Sequence, residues 1–310
     1  MNRTGWLVND CLTCIPGTNT FWHNLLEWVP LLVDKTRGYT DYSILADVIE
    51  MNVAQSTYIE KPYYIIRNGS YFRGINVQNI KTISLIQDIL QNNMQLDVIN
   101  RSDIVVFNTY YVFNKYKNKI TATTIKICPL GIDFNFFKPI VDRHPDIPSN
   151  SIIFIGSSTN YPKGFSIMLD IIYKTDYHFC LIMKDNFSID HFPSHIKSRV
   201  RVFNSVNQYM VRLLINSCMI AVCTSYEETQ HLAGIECGAC NIPIVAREIG
   251  FYYDCRNDTD WGLIADDTTF IEKIKYVMDH RSEFNPRDYL IQKYSLEICR
   301  KNWIDIIESI

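Results

Sequence analysis

Short apolar runs alternate along the chain with amphipathic stretches, the pattern of parallel strands joined by crossover helices. In the first half the runs at 6–8, 63–66, 104–107 and 124–128 read as strands. Between them 21–32 (FWHNLLEWVPLL), 79–93 (NIKTISLIQDILQNN) and 110–118 (YYVFNKYKN) carry apolar residues at helical spacing, the first interrupted near Pro30. The second half repeats the rhythm more cleanly. Strands are expected at 151–156, 177–184, 199–204, 218–225 and 242–246, and helices at 164–175, 206–217 and around 230–240, with two helical stretches after Thr268. The regular alternation predicts an α/β protein with two doubly wound parallel sheets.

The segment 138–150 (KPIVDRHPDIPSN) is polar and punctuated by Pro139, Pro145 and Pro148, so it reads as a linker between domains 1–138 and 139–310. Near the C-terminus, Ile298, Trp303, Ile306 and Ile307 line one side of a helix, which should pack back on the body. With 310 residues, 47% of them hydrophobic and 20% charged, the chain has the composition of an ordered globular protein large enough for two cores. The 30 Lys and Arg against 33 Asp and Glu leave a net charge of -3, which disfavours a protein built to neutralise a nucleic-acid backbone. Lys115, Lys117, Lys119 and Lys126 read as a solvated helix end. No apolar stretch reaches the roughly 18–20 residues of a membrane helix, and no secretory leader is present, so the expected compartment is the cytoplasm.

The 10 cysteines change this picture little. Cys128, Cys180, Cys218 and Cys223 sit in apolar runs and read as reduced core thiols. Cys11 with Cys14, and Cys237 with Cys240, have the spacing of a ligand pair without the surrounding knuckle. The helix that a redox pair needs is blocked after Cys14 by Pro16 and Gly17, and the second pair falls inside a predicted helix. No metal site is expected.

Parallel sheets bind ligands beyond the C-terminal ends of their strands, and one such exit is dense in chemistry. After the apolar MIAVC come Glu227 and Glu228, a Gly-containing segment, Glu236 eight residues beyond Glu228, and then Cys240, Asn241 and Pro243. This stretch, through Ser225, Glu228, Leu232, Glu236, Ala239, Cys240, Pro243, Val245 and Gly250, resembles the retaining, family-4-like nucleotide-sugar glycosyltransferases (glycosyl transferases group 1). Two further segments resemble the same family in the right order. The run 151–164 (SIIFIGSSTNYPKG) has Gly156 at a strand exit and Lys163-Gly164 at the family's phosphate-binding pair, and 127–139 (ICPLGIDFNFFKP) looks like the segment that closes the first domain. The resemblance spans roughly residues 125–310. It implies the GT-B fold, two Rossmann-like domains facing across a cleft, and an enzyme that transfers a sugar from a UDP- or GDP-sugar to a hydroxyl acceptor without an obligatory metal.

A nucleoside diphosphate gains negative charge as the glycosidic bond breaks, so cations and helix N-terminal amides favour that transition state. Lys163 is the expected cation, and the amides around Thr229, Gln230, His231 and Leu232 complete the cradle. By the resemblance Glu236 accepts the ribose hydroxyls and Glu228 meets the donor sugar near its reacting carbon. Where family members present Gly-Phe-Gly, this chain has Thr229, Gln230 and His231, which implies a bulkier, more polar loop. Asn241 replaces a Gly, a mild change because Asn tolerates left-handed geometry. Ser157 and Ser158 replace the usual second cation, leaving Arg247 as a candidate for that role.

The acceptor side is read from Gly17, Thr18 and Asn19 after the first strand, and from Arg67, Asn68, Tyr71 and Arg73 after another. His23 reads as a structural residue of an aromatic-rich helix. The acceptor is a glycan, a metabolite, a protein or a modified base, with nucleic acid disfavoured by charge, and a protein partner is compatible with the small first domain. The competing reading is a degenerate GT-B scaffold that binds a nucleotide or a partner without turnover.

Overall fold

The computed structural model describes residues 81–90, 93–122 and 124–309, with the strand segments Gly5–Val8, Leu31–Leu32 and Tyr64–Asn68 upstream of them. Cys11, Cys14, Gly17, Thr18, Asn19, His23, Tyr71 and Arg73 lie outside the described residues; Arg67 and Asn68 end a strand. By contacts the chain divides into two units, Met1–Gly131 with Glu297–Ile310, and Ile132–Leu296.

The first unit holds strands β1 (Gly5–Val8), β2 (Leu31–Leu32), β3 (Tyr64–Asn68), β4 (Lys81–Ile86), β5 (Ile104–Phe107) and β6 (Thr124–Ile127), all parallel in the order β2-β1-β3-β4-β5-β6. β4 corrects the helix expected over 79–93. It lies between β3 and β5, so Thr82, Ile83, Ser84, Leu85 and Ile86 are all buried. A strand covered on both faces loses its alternating pattern, and its apolar run then mimics a buried helix. The helix comes later, at Asn93–Asn100. Likewise Leu31–Leu32, read as the end of a helix, forms β2. After β5, Thr109 accepts from Val112 N at 3.3 Å and caps the helix Tyr110–Tyr116.

The second unit has β7 (Ile152–Gly156), β8 (Phe179–Met183), β9 (Val200–Asn204), β10 (Ile220–Cys223), β11 (Ile244–Ala246) and β12 (Gly262–Ile264), parallel in the order β12-β11-β10-β7-β8-β9. The order reverses between β7 and β10, where a doubly wound sheet opens its ligand crevice. The helix Phe165–Lys174 buries Phe165, Met168, Ile171 and Ile172, one stripe at helical spacing, against a core with Phe154, Leu181, Val222 and Phe270. β12 and the helix Gly250–Asp254 were not expected. β12 is three residues long and pairs with β11 because Gly262, at φ +146°, brings its backbone where a Cβ would lie 1.9 Å from Ile244 O. After Thr268 there are three helices rather than two, Phe270–Asp279, Pro286–Tyr294 and Leu296–Glu308. Among the described residues no helix is long and apolar enough to cross a membrane.

By contacts the division into units falls at 131/132, where the sequence reading put a boundary at 138, and the proline-rich segment is stitched into the second unit. Arg287 donates to Phe134 O at 2.9 Å, to Phe137 O at 3.0 Å and to Ala239 O at 2.5 Å. Ile140 N and His144 N donate to Asn216 Oδ1 and Ser217 Oγ at 3.0 and 2.7 Å. Prolines mark where the backbone stops donating, which a tightly held irregular segment shares with a linker. Ile132 N donates to Tyr294 O at 2.8 Å, so the strand of chain entering the unit is tied to the one leaving it. The last helix, assigned by sequence to the second domain, clusters with the first unit and buries Cys299, Trp303 and Ile306 there, with the Cys299 thiol beside Cys128. Arg287→Ala is expected to lower the free energy of unfolding by about 2–4 kcal/mol, because three carbonyls lose a charged donor. The check is a lower denaturant midpoint at constant slope; an unchanged midpoint would mean that packing alone holds 132–138.

Candidate functional site

The sequence-predicted residues of the second unit converge on the exits of β7 and β10, the two strands flanking the reversal. Gly156 ends β7, and a Cβ there would stand 2.6 Å from the Phe154 ring. The loop that follows is held by Asp185 at the exit of β8, which accepts from Ser158 N at 2.9 Å, from Thr159 N at 3.1 Å and from Ser158 Oγ. Burial opposes the charge on Asp185, and these donors outweigh it, holding its carboxyl below the usual range. Ser157 and Ser158 thus carry the loop where a second cation was missed. Asp185 itself went unread, although its position just past an apolar run is the signal that could have found it.

A turn over Tyr161–Lys163 leads to Gly164, at φ +61°, which caps the helix Phe165–Lys174. A Cβ on Gly164 would lie 2.1 Å from Thr224 O, so only glycine allows this turn to press on the exit of β10. The contact is sealed by Thr224 Oγ1 donating to Lys163 O at 3.1 Å and Tyr226 N donating to Pro162 O at 2.7 Å. Tyr161 stacks on Tyr226, with ring centroids 5.5 Å apart.

The docking places Lys163 Nζ 2.6 Å from Glu228 Oε1, and Ser225 Oγ donates to the same oxygen at 2.8 Å. Burial raises the Glu228 carboxyl, but the positive charge of the Lys163 ammonium and the bonds donated by Lys163 and Ser225 outweigh it and hold the carboxyl below its ordinary range. His231 begins the helix Leu232–Ala239 at φ +67°, the left-handed geometry that suits the family's Gly at this position. Its Nδ1 lies 2.6 Å from the Tyr252 hydroxyl, and burial pushes the imidazole down to about 4, so it is neutral at physiological pH. The ring and Tyr252 crowd Gly234, where a Cβ would meet them at 2.7 and 2.1 Å. Gln230 is buried, and its carbonyl accepts from Phe251 N at 3.2 Å, which ties the 229–231 loop to the turn at Gly250. Tyr252 was not read from the sequence; nothing in its local pattern distinguishes it from a core aromatic.

Glu236 sits on the same helix, in its second turn. Burial alone pushes its carboxyl up to about 7, and it has no hydrogen-bond or ion-pair partner among the described residues. Arg247, at the exit of β11, donates to Thr224 O at 3.1 Å, pairs with Asp267 and lies over the Tyr226 ring at 4.4 Å. A bound anion would have to compete with Asp267 for it. Arg247 and Tyr226 also line a cavity of about 570 Å³ with Ile249, Asp266, Thr269 and Lys273.

Asn241 adopts φ +60°, the conformation its sequence position implied. Cys237 and Cys240 are buried free thiols, with burial pushing Cys240 up to about 12, and no group of three His, Cys, Asp or Glu able to hold a metal ion occurs among the described residues.

The fold agrees with known structures. The chain is similar to sucrose-phosphate synthase of Thermosynechococcus elongatus at a TM-score of 0.76 and 13% identity, over 99% of this chain and 98% of that one. It is similar to Anabaena HepE, solved in complex with UDP, at a TM-score of 0.75 and 14% identity, over 99% and 100% of the two chains. A glycosyltransferase of Rickettsia africae superposes at a TM-score of 0.71 and 14% identity, over 99% and 97%. Comparison with curated protein sequences gives no match. The chain therefore has the GT-B fold of these glycosyltransferases, and residues 149–280, which include Lys163, Glu228 and Glu236, match the family model of the glycosyl transferases group 1.

Proposed function

We propose that the protein is a nucleotide-sugar-dependent glycosyltransferase that moves a sugar to a hydroxyl acceptor with retention of configuration. The observation that carries the reading is Glu236, a partly buried carboxyl with no protein partner among the described residues, on the helix that follows the Lys163–Glu228 pair. A carboxyl withdrawn from water without a partner is costly unless a ligand completes it, and the paired hydroxyls of a ribose are suited to do so. Solved complexes of HepE with UDP and with UDP-glucose make UDP-sugars the first donors to test, ahead of GDP-sugars.

In the resting site Lys163 neutralises Glu228. A diphosphate lying at the Gly164 turn and the N-terminus of the helix Phe165–Lys174 draws the ammonium away, and Lys163 then balances the charge that grows on the leaving phosphate. Glu228 is freed, still ionised, to hold donor hydroxyls near the reacting carbon. The backbone of Thr229, Gln230 and Leu232 and the neutral His231 ring frame the sugar. Lys163 supplies the countercharge, so no divalent ion is required. The acceptor-side residues are Gly17, Thr18, Asn19, Arg67, Asn68, Tyr71 and Arg73, and the eight described cysteines, all free and buried, suit a reducing compartment such as the cytoplasm. The second reading, a nucleotide- or partner-binding scaffold without turnover, draws on the engagement of both cations by carboxylates, Arg247 by Asp267 and Lys163 by Glu228.

Calorimetry with a UDP- and GDP-sugar panel is expected to give binding that falls at least tenfold in Lys163→Ala and in Glu236→Ala, with turnover abolished in Glu228→Ala and unaffected by EDTA in the wild type. Absence of binding to every nucleotide would end the transferase reading; binding without hydrolysis or transfer to any acceptor would favour the scaffold. The anomeric configuration of the product, read by NMR, tests retention.

The pH response follows from Glu236. Its native pKa of about 7 lies above the 4.5 of an unperturbed glutamate, so the folded chain holds an extra proton between these values. The resulting stability is present below about pH 4.5 and lost as pH rises through 7, while the ionised form, which accepts two ribose hydroxyls, grows in. UDP affinity is therefore expected to rise, and apo-protein stability to fall, between pH 5 and 8, and both trends should flatten in Glu236→Gln. An identical pH profile in the variant would assign the titration to another group.

A further inference from the structure

The sheet of the first unit treats its buried polar side chains differently at its two ends. Toward the amino-terminal ends of β4 and β5 they are paired: Asp103 accepts from Lys81 Nζ and Thr82 N, each at 2.8 Å, and Ser84 Oγ lies 2.6 Å from Ser102 Oγ. At the carboxyl-terminal edge they are not. Gln87 follows β4 and is 6% exposed; Asn108 follows β5 and is fully buried. Gln87 Nε2 and both Asn108 Nδ2 and Oδ1 have no hydrogen-bond partner among the described residues. The parallel register ends at Ile86↔Phe107, so Gln87 and Asn108 each follow directly on the last paired residue of neighbouring strands.

Each unmet buried amide costs about 1–3 kcal/mol, and native proteins keep few of them without a purpose. Their position is the edge where open parallel sheets receive ligands. Their chemistry is two NH₂ donors and one carbonyl acceptor, without charge. A phosphate or carboxylate accepts from the donors but leaves Asn108 Oδ1 facing another acceptor, whereas a hydroxyl both donates and accepts.

We propose that Gln87 and Asn108 form the recognition pair for a neutral, hydroxyl-rich acceptor, a sugar or glycan, in the first unit. The proposal rests on the transferase reading and supplies what that reading leaves open, the chemical class of the acceptor and the side chains that select it.

The test measures binding of methyl glycosides of glucose, galactose, mannose and N-acetylglucosamine to the full chain by saturation-transfer NMR, with UDP and GDP measured separately by calorimetry. In the wild type at least one glycoside gives saturation transfer. Asn108→Leu and Gln87→Met weaken that glycoside at least tenfold while nucleotide affinity stays the same. Both variants hold or raise Tm, because an apolar replacement removes unmet polar groups; Asn108→Ala repeats the measurement with a smaller side chain should leucine not fit. No glycoside binding in the wild type, or equal binding in the variants, would overturn the proposal. So would a fall in Tm in all three variants, since the amides would then be serving the fold itself. Nucleotide binding in the absence of glycoside binding would sink this inference alone, whereas loss of nucleotide binding in the wild type would sink the transferase reading.

Discussion

Gly164 can stand against the backbone of Thr224 because it has no side chain, and the site depends on that approach. The turn carrying Lys163 leaves β7, and the loop carrying Ser225 and Glu228 leaves β10. These strands are neighbours in the sheet but 61 residues separate the hydrogen-bonded Lys163 and Thr224 along the chain. With the backbones pressed together, the Lys163–Thr224 and Pro162–Tyr226 bonds set the two loops in one register, and the ammonium reaches the carboxylate at 2.6 Å. A methyl group at residue 164 would have to displace the Thr224 carbonyl, and the pair would part.

Around that contact the site sorts its ionisable groups by environment. Glu228 is partly buried but has a cation and a hydroxyl, so it stays charged; Glu236 is partly buried with neither, so its proton comes off near neutrality. His231 is neutral because burial outweighs the carboxylate beside it, and its left-handed backbone is held by the Tyr252 bond and the turn at Gly250. The two carboxylates, one in the loop and one on the helix that follows it, are thus shifted in opposite directions by their surroundings. The left-handed backbone at His231 lies in the loop that joins β10 to the helix Leu232–Ala239.

Much of the second unit was readable from its residues. Its strands are short β-branched runs and its helices carry one apolar stripe, so Ile152–Gly156, Phe165–Lys174 and Gln208–Ser217 lie within the expected segments. β4 was not readable, because a strand buried on both faces lacks alternation and Ile83, Leu85 and Ile86 fit a helix as well. β12 escaped because three residues carry no period at all. The attachment of the proline-rich segment to the second unit escaped because Arg287 binds a segment more than 140 residues away, and no local pattern announces which carbonyls a distant guanidinium will take.

By itself the sequence determined the alternating architecture of the two sheets and the spacing of Glu228 and Glu236, because these follow from local periodicity and from residue type at fixed separation along one chain. Tertiary structure decided the rest. It engaged Arg247 with Asp267, gave Asp185 the loop that Ser157 and Ser158 line, left Glu236 without a partner among the described residues, and put Gln87 and Asn108 directly after the last paired residues of neighbouring strands. Each of those outcomes is a matter of which groups meet across the sheet and how much water they lose, and burial and pairing are properties of the folded arrangement that no stretch of sequence carries alone.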